Sequence, residues 1–264
     1  MMQAKRRLGQ HFLSDPRILG RIADAVGAGR EDTVLEIGPG PGALTAALIE
    51  RAGRVVAIEK DRDLVPTLRA RLPEATIVEG DALAVDWRAV AGPRFLVAGN
   101  IPYNITTPLI DKALEPPRPP RIVFLVQQEV ADRVTAPPGT KDYGALSVGV
   151  RAVALAERLF RVPAGAFAPR PKVDSALLRL TPLAAPLVEV SDQTNFRRLV
   201  VGLFGFRRKQ LGRGLRELTG WEPMRTLAAL ERAGLAVDAR PETVAVDGFV
   251  RLLHALVDGG WAAQ

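Results

Sequence analysis

Residues 34–43 read Val34-Leu35-Glu36-Ile37-Gly38-Pro39-Gly40-Pro41-Gly42-Ala43. Val34 to Ile37 reads as a short strand, and the glycines that follow allow a sharp turn and the close approach of a ligand. A helix opens at about Ala43, so its first amides point back toward the turn. Strand, glycine loop and helix together form the opening unit of a cofactor-binding α/β sheet. Gly38, Gly40 and Ala43 also satisfy the G-x-G-x-x-G/A dinucleotide pattern. Glu59, 21 residues beyond Gly38, stands where an acid holds the two ribose hydroxyls of either kind of cofactor. At this point a nicotinamide nucleotide remains open.

The same rhythm continues outward. Val34 to Ile37, Val55 to Ile58, Thr76 to Val78, Phe95 to Ala98 and Ile122 to Val126 read as strands with helix-length segments between most of them. That alternation predicts a parallel sheet with helices on both faces, and the absence of polar alternation suits strands buried on both sides. Val150 to Leu155 and Ala176 to Leu180 are expected to extend the sheet, with the Pro-rich segment 163–171 between them. Thr181 to Val190, with two prolines and no clear period, reads as a linker. Beyond it Leu199, Leu203 and Phe206, then Leu227, Leu230 and Leu235, then Phe249, Leu252, Leu253 and Leu256 follow roughly helical spacing. The expected fold class is α/β, a Rossmann-like sheet over 1–182, followed by a small all-helical domain over 183–264.

Composition narrows the function. With 264 residues, 47% hydrophobic and 25% charged, the chain can build a large core. No run approaches the length of a membrane span, and the N-terminal MMQAKRRLGQHF lacks the apolar region of a secretory signal, so a cytoplasmic location is expected. There is no cysteine, and His11 and His254 are the only histidines, which excludes disulfides and Cys/His zinc sites. The net charge of +7 favours polyanionic partners. The excess is concentrated: 197–216 carries seven basic residues and no acidic one, and Lys5, Arg6 and Arg7 form a second cluster.

Two later strand ends bear on the cofactor. Gly80-Asp81-Ala82 follows the strand at Thr76 to Val78, where a carboxylate can accept from an adenine amino group. Asn100-Ile101-Pro102-Tyr103 follows Phe95 to Gly99. Glu59, Asp81 and Asn100 then surround one crevice at the carboxyl edge of the sheet, which suits S-adenosylmethionine, a ribose, an adenine and a sulfonium without pyrophosphate. In the last motif an Asn oxygen and the Ile101 carbonyl can both accept from an exocyclic amine, and Tyr103 can stack on its ring. Pro102 fixes its own φ and biases Ile101 toward an extended conformation.

With these motifs the chain closely resembles the ribosomal RNA adenine dimethyltransferases of the KsgA or RsmA kind. The matching residues are Gly9 to Leu13 (GQHFL), Glu36 to Gly42, Gly80 to Ala82, Asn100 to Ile105 (NIPYNI), Phe124 to Val130, Tyr143-Gly144, Phe167 to Ser175 (FAPRPKVDS) and Phe206 to Lys209 (FRRK). The resemblance spans nearly the whole chain. It implies S-adenosylmethionine bound by His11, Leu13, Gly38, Glu59, Asp81 and Asn100. It also implies a target adenine held by Asn100, Ile101 and Tyr103, with Phe167 as a second aromatic wall and no metal. Arg207, Arg208 and Lys209, expected on one helix, are the candidate RNA contacts. Departures from the family pattern are His11 for a common Asn, Gln128 for a common Lys, and Gln210 and Arg213-Gly214 after the basic triplet.

The implied reaction is N6-dimethylation of two adjacent adenines in a small-subunit ribosomal RNA hairpin during subunit assembly, by a monomer acting on the RNA or the assembling 30S subunit. Alternatives are a large-subunit RNA adenine methyltransferase giving antibiotic resistance, and a non-catalytic assembly factor on the same fold. The attacked amine becomes acidic as it gains positive charge, so its proton can leave to water and no dedicated general base is required, in agreement with the absence of a histidine near the NIPY motif in sequence.

Overall fold

A computed structural model describes residues 10–262. Gly9 and the Lys5, Arg6, Arg7 cluster lie outside the described residues. By compactness the chain divides into two units, one of residues up to Ala131 with Ala156–Pro182, the other of Asp132–Leu155 with the residues from Leu183 onward. The expected single boundary at 182/183 coincides with one of these breaks, and the excursion 132–155 into the second unit was not foreseen.

The first unit begins with β1 (Phe12–Leu13) and α1 (Pro16–Val26). The start of α1 is dictated locally: Asp15 accepts from the amides of Arg17 at 2.8 Å and Ile18 at 3.3 Å, Pro16 needs no donor, and Gly27 closes the far end at φ 64°. Then follow β2 (Thr33–Ile37), α2 (Ala43–Ile49), β3 (Arg54–Glu59), α3 (Val65–Arg71), β4 (Ala75–Glu79), α4 (Trp87–Ala91), β5 (Leu96–Asn100), α5 (Thr106–Ala113) and β6 (Ile122–Gln127). After α6 (Gln128–Thr135) and α7 (Ala145–Arg151) come β7 (Ala154–Val162), β8 (Phe167–Ala168) and β9 (Ser175–Pro182).

Seven strands form one sheet in the order β4-β3-β2-β5-β6-β9-β7. Pairings from β4 to β6 are parallel, as the alternation predicts. The wholly parallel expectation fails at one side, because β6 and β9 pair antiparallel, Phe124 opposite Leu178. Neighbours that point to opposite faces, Val34 and Leu35, Val97 and Ala98, Val123 and Phe124, are all fully buried. Both faces of the sheet are therefore covered. One side carries α1 and α2 through Leu19, Ile22, Val26, Leu44 and Leu48.

Val150 to Leu155 is corrected. Val150 and Arg151 end α7, and the strand starts at Ala154 and runs to Val162. Ser147 accepts from the Gly144 amide at 3.0 Å, which builds a first helical turn ahead of the apolar run. The linker is also shorter than read, since Thr181 and Pro182 finish β9.

The second unit is helical, with α8 (Gln193–Gly205), α9 (Leu211–Thr219), α10 (Pro223–Arg232) and α11 (Val246–Asp258) after α7. Phe249, Leu252, Leu253 and Leu256 are buried in α11, as are Leu199 and Leu203 in α8. Phe206 is no longer helical, because α8 ends at Gly205.

Candidate cofactor and target-base site

The strand ends that the sequence singles out converge on one crevice. It is lined by Gln10 to Leu13, Glu36 to Pro41, Ile58 to Lys60, Gly80 to Ala82 and Asn100 to Ile105, all from the first unit. Each strand end is held by an amide that reaches across to its neighbour: Gly38 to Ile58 at 3.0 Å, Gly80 to Glu59 at 2.9 Å, and Ile101 to Leu125 at 3.0 Å.

The glycine loop has the backbone its sequence requires. Gly38 and Gly40 stand at φ 67° and 56°, where a Cβ is strained, and a Cβ on Gly40 would meet the Phe12 ring at 3.0 Å. Gly42, at φ 88°, caps α2. Glu59 is buried, and its two oxygens accept from the amides of Gly40 at 3.0 Å and Asp61 at 2.7 Å. Burial raises its pKa, and those amides pull it back. Each carboxylate oxygen keeps a further lone pair for a ribose hydroxyl.

Asp81 is fixed from two sides. Lys60 Nζ lies 2.7 Å from Oδ2, and the Leu83 amide donates to Oδ1 at 3.0 Å. The Lys60 hydrogen bond, followed by the Leu83 amide, holds the Asp81 carboxyl below its ordinary range. An ionised acceptor thus awaits an amino group.

Asn100 Nδ2 donates to the His11 carbonyl at 2.8 Å. Asn100 lines the crevice, and with Nδ2 so engaged its Oδ1 is the acceptor end of the amide. Tyr103 occupies a short 3-10 turn (Tyr103–Ile105), and its hydroxyl lies 2.9 Å from Ser175 Oγ. Its ring is stacked with His11, centroids 5.5 Å apart and planes at 30°. The sequence separates His11 from this motif; the fold brings the two together. The imidazole Nδ1 lies 2.7 Å from the Pro169 carbonyl, which can only accept, so the ring proton sits on Nδ1.

Leu13 and Gly38 line the crevice, and Ile101 does so while nearly fully buried. Phe167 does not. It is 5% exposed, packs in the core with Leu13 and Leu177, and pairs with Leu13 across β1 and β8. The aromatic ring that reaches the crevice from β1 is Phe12.

Glu36 was missed by the sequence reading. It is 1% exposed in the crevice wall, its Oε2 has no hydrogen-bond partner among the described residues, and burial, with the Glu59 charge adding to it, pushes its pKa to about 8. An orphaned buried oxygen beside a glycine loop fits a ligand carrying a cationic ammonium, as S-adenosylmethionine does. The signal in sequence was an acid inside an apolar strand.

The basic triplet is not on a helix. Arg207, Arg208 and Lys209 form a turn after α8. Arg207 is spent on structure: Nε donates to Glu242 Oε2 at 2.5 Å, and Nη2 donates to the Lys141 carbonyl at 2.7 Å. Lys209 pairs with Glu217 at 2.8 Å and lies over the Phe206 ring. Arg208 is exposed. Among the described residues no cluster of three or more His, Cys, Asp or Glu could hold a metal.

Comparison with known proteins gives one consistent result. The model of a family described as ribosomal RNA adenine dimethylase matches residues 1–256. A ribosomal RNA small subunit methyltransferase A of Geobacter metallireducens is 43% identical over 265 residues, 97% of this chain and 96% of its own length. The protein of the same name from Phenylobacterium zucineum is 45% identical, covering 96% and 88%. Among solved structures, a dimethyladenosine transferase from Plasmodium falciparum superposes with TM-score 0.85 at 26% identity, covering 95% of this chain and 98% of its own. The 23S rRNA methyltransferase ErmE gives 0.72 at 31% identity, covering 93% and 99%.

Proposed function

The chain belongs to the ribosomal RNA adenine dimethylase family, and from that premise we propose that the carboxyl-edge crevice is its catalytic site. The protein is an S-adenosylmethionine-dependent methyltransferase that dimethylates adenine in small-subunit ribosomal RNA. The finer assignment, two adjacent adenines of one hairpin in an assembling 30S subunit, is our reading, as are a monomeric state and a cytoplasmic location. Among the described residues no helix is long and apolar enough to cross a membrane.

The residues divide the work. Glu59 would take the ribose hydroxyls, Asp81 the adenine amino group and Glu36 the ammonium end, with Gly38, Leu13 and His11 along the wall. Bound there, S-adenosylmethionine supplies a methyl group on a sulfonium, an electrophile needing no metal. The nucleophile is the harder part, because an adenine amino lone pair is delocalised into its ring. Asn100 Oδ1 and the Ile101 carbonyl, as two acceptors, hold the amine so that its lone pair points one way. The amine becomes acidic as it gains charge, so its proton can pass to water. Tyr103 offers the flipped base a stacking face, offsetting the few kcal/mol of extrusion.

The observation that carries this reading is the Asn100 to His11 bond, which turns Oδ1 away from the backbone that holds it. The test is mass spectrometry of adenosines from undermethylated small subunits incubated with the protein and labelled S-adenosylmethionine. Dimethyladenosine at two neighbouring positions is expected; cofactor binding without transfer would favour the non-catalytic assembly factor. The likeness to ErmE keeps a large-subunit substrate as the second reading. Labelled large subunits, or macrolide resistance on expression, would establish it.

The helical second unit is proposed as the RNA-positioning part, with Arg208 its most available cation in the triplet.

A further inference from the structure

We propose that His11 is a positioning residue for the target base, beyond the cofactor contact expected of its place in the sequence. The proposal rests on the methyltransferase reading and concerns the same crevice.

Three contacts meet at this residue. Its backbone carbonyl accepts from Asn100 Nδ2 at 2.8 Å, its ring stacks with Tyr103, and Nδ1 donates to the Pro169 carbonyl at 2.7 Å. Asn100 and Tyr103 are the two side chains that would orient and stack the adenine. Pro169 lies in the loop that follows β8, and β8 pairs with β1 directly beyond His11. The register Phe12 opposite Ala168 puts the imidazole and the Pro169 carbonyl at the same level, so their bond closes the end of the ribbon.

The consequence is a fixed wall. Tyr103 is pinned at its hydroxyl by Ser175 and at its ring by His11, two restraints from different elements. A ring held at both ends offers its remaining surface to an incoming base with little orientation to lose. The stack lies within the distance range at which aromatic pairs attract. An Asn at position 11 could bond through its side chain but has no ring, so it cannot supply this restraint.

The experiment compares the parent with His11→Ala, His11→Asn and His11→Phe. S-adenosylmethionine affinity is measured by calorimetry, and single-turnover methyl transfer is measured on undermethylated small subunits at saturating cofactor. His11→Ala is expected to slow transfer at saturating cofactor by about ten- to a hundredfold through misplacement of the base, a loss that added cofactor does not restore, whatever part of the cofactor contact goes with the ring. His11→Phe keeps a ring and should recover part of the rate; His11→Asn should not. A tenfold loss of cofactor affinity with the parent rate at saturation would overturn the proposal and leave His11 a cofactor ligand alone. Equal rates for Phe and Asn would overturn the stacking role. A parent that binds S-adenosylmethionine but methylates neither subunit's RNA would overturn the functional reading itself, and the proposal with it.

Discussion

Asn100 Nδ2 donates to the carbonyl of His11, 89 residues earlier in the chain, at 2.8 Å. The bond fixes which end of the amide is held by the backbone. Asn100→Ala removes an acceptor, whereas Asn100→Asp keeps one but loses the donor to His11. Both are expected to lower the transfer rate by about 10²-fold, the scale for losing one orienting hydrogen bond in an active site. RNA affinity should fall by much less, and single-turnover kinetics with a separate binding assay would check this. A rate within threefold of the parent for Asn100→Ala would remove Asn100 from the mechanism.

Tyr103 is held through its hydroxyl as well as its ring. Tyr103→Phe leaves the buried Ser175 hydroxyl without this partner, an expected loss of about 1 kcal/mol of stability, with transfer only mildly slowed. Tyr103→Ala should lower base binding by about 1 to 3 kcal/mol as well. Denaturant unfolding and RNA binding measured side by side separate the two effects.

Glu36 makes stability depend on pH. Its folded-state pKa of about 8 stands above the ordinary carboxylate value of 4.5, so the folded state binds the proton more tightly than the unfolded one. The associated stability is fully present below about pH 4.5 and is lost as pH rises toward 8, levelling off above it. Thermal unfolding of the cofactor-free protein, compared with Glu36→Gln across pH 5 to 9, should show the parent losing ground over that interval. Parallel curves would contradict the shift.

Glu59 and Asp81 should fail differently. Glu59→Ala strips the acceptor from the Gly40 and Asp61 amides, so it should lower both thermal stability and S-adenosylmethionine affinity. Asp81→Ala leaves the half-exposed Lys60 free to turn to solvent, and should lower affinity with little change in unfolding temperature. Neither variant, nor the parent, should bind NAD. Calorimetry and thermal unfolding on the two variants give the answer.

The basic turn no longer acts as a unit. Arg208→Ala should reduce the magnitude of the log-log salt slope of RNA binding by roughly 0.7 to 0.9, one released counterion, with stability unchanged. Arg207→Ala should instead destabilise the second unit, since it leaves Glu242 and the Lys141 carbonyl without their donor, and alter the slope little. An unchanged slope for Arg208→Ala would move the RNA surface elsewhere.

The central strands were readable because both their faces are buried, which makes them continuous apolar runs, and the crevice followed because parallel strands end together. β7 was obscured for the opposite reason. It lies at the sheet edge with Glu157, Arg158 and Arg161 along it, and Glu157 pairs with Arg179 of β9, so no apolar run announces it. The packing of Phe167 beside Leu13 has no local signal, because the two residues lie far apart in the chain. The His11 to Tyr103 stack has no local signature at all. The pairing of Arg207 with Glu242 likewise depends on the second unit's packing, so the triplet looked like three free cations.

The two-residue ribbon of β1 and β8 also sets an order of assembly during synthesis. His11 and Pro169 are 158 residues apart, so the His11 end of the crevice cannot be pinned until a further 158 residues have been made. At ordinary elongation rates that interval is roughly 8 to 30 s. Over that time the nascent protein can build β2 to β6, yet His11 has no Pro169 carbonyl to meet, and the wall beside Tyr103 is completed only once translation is well advanced.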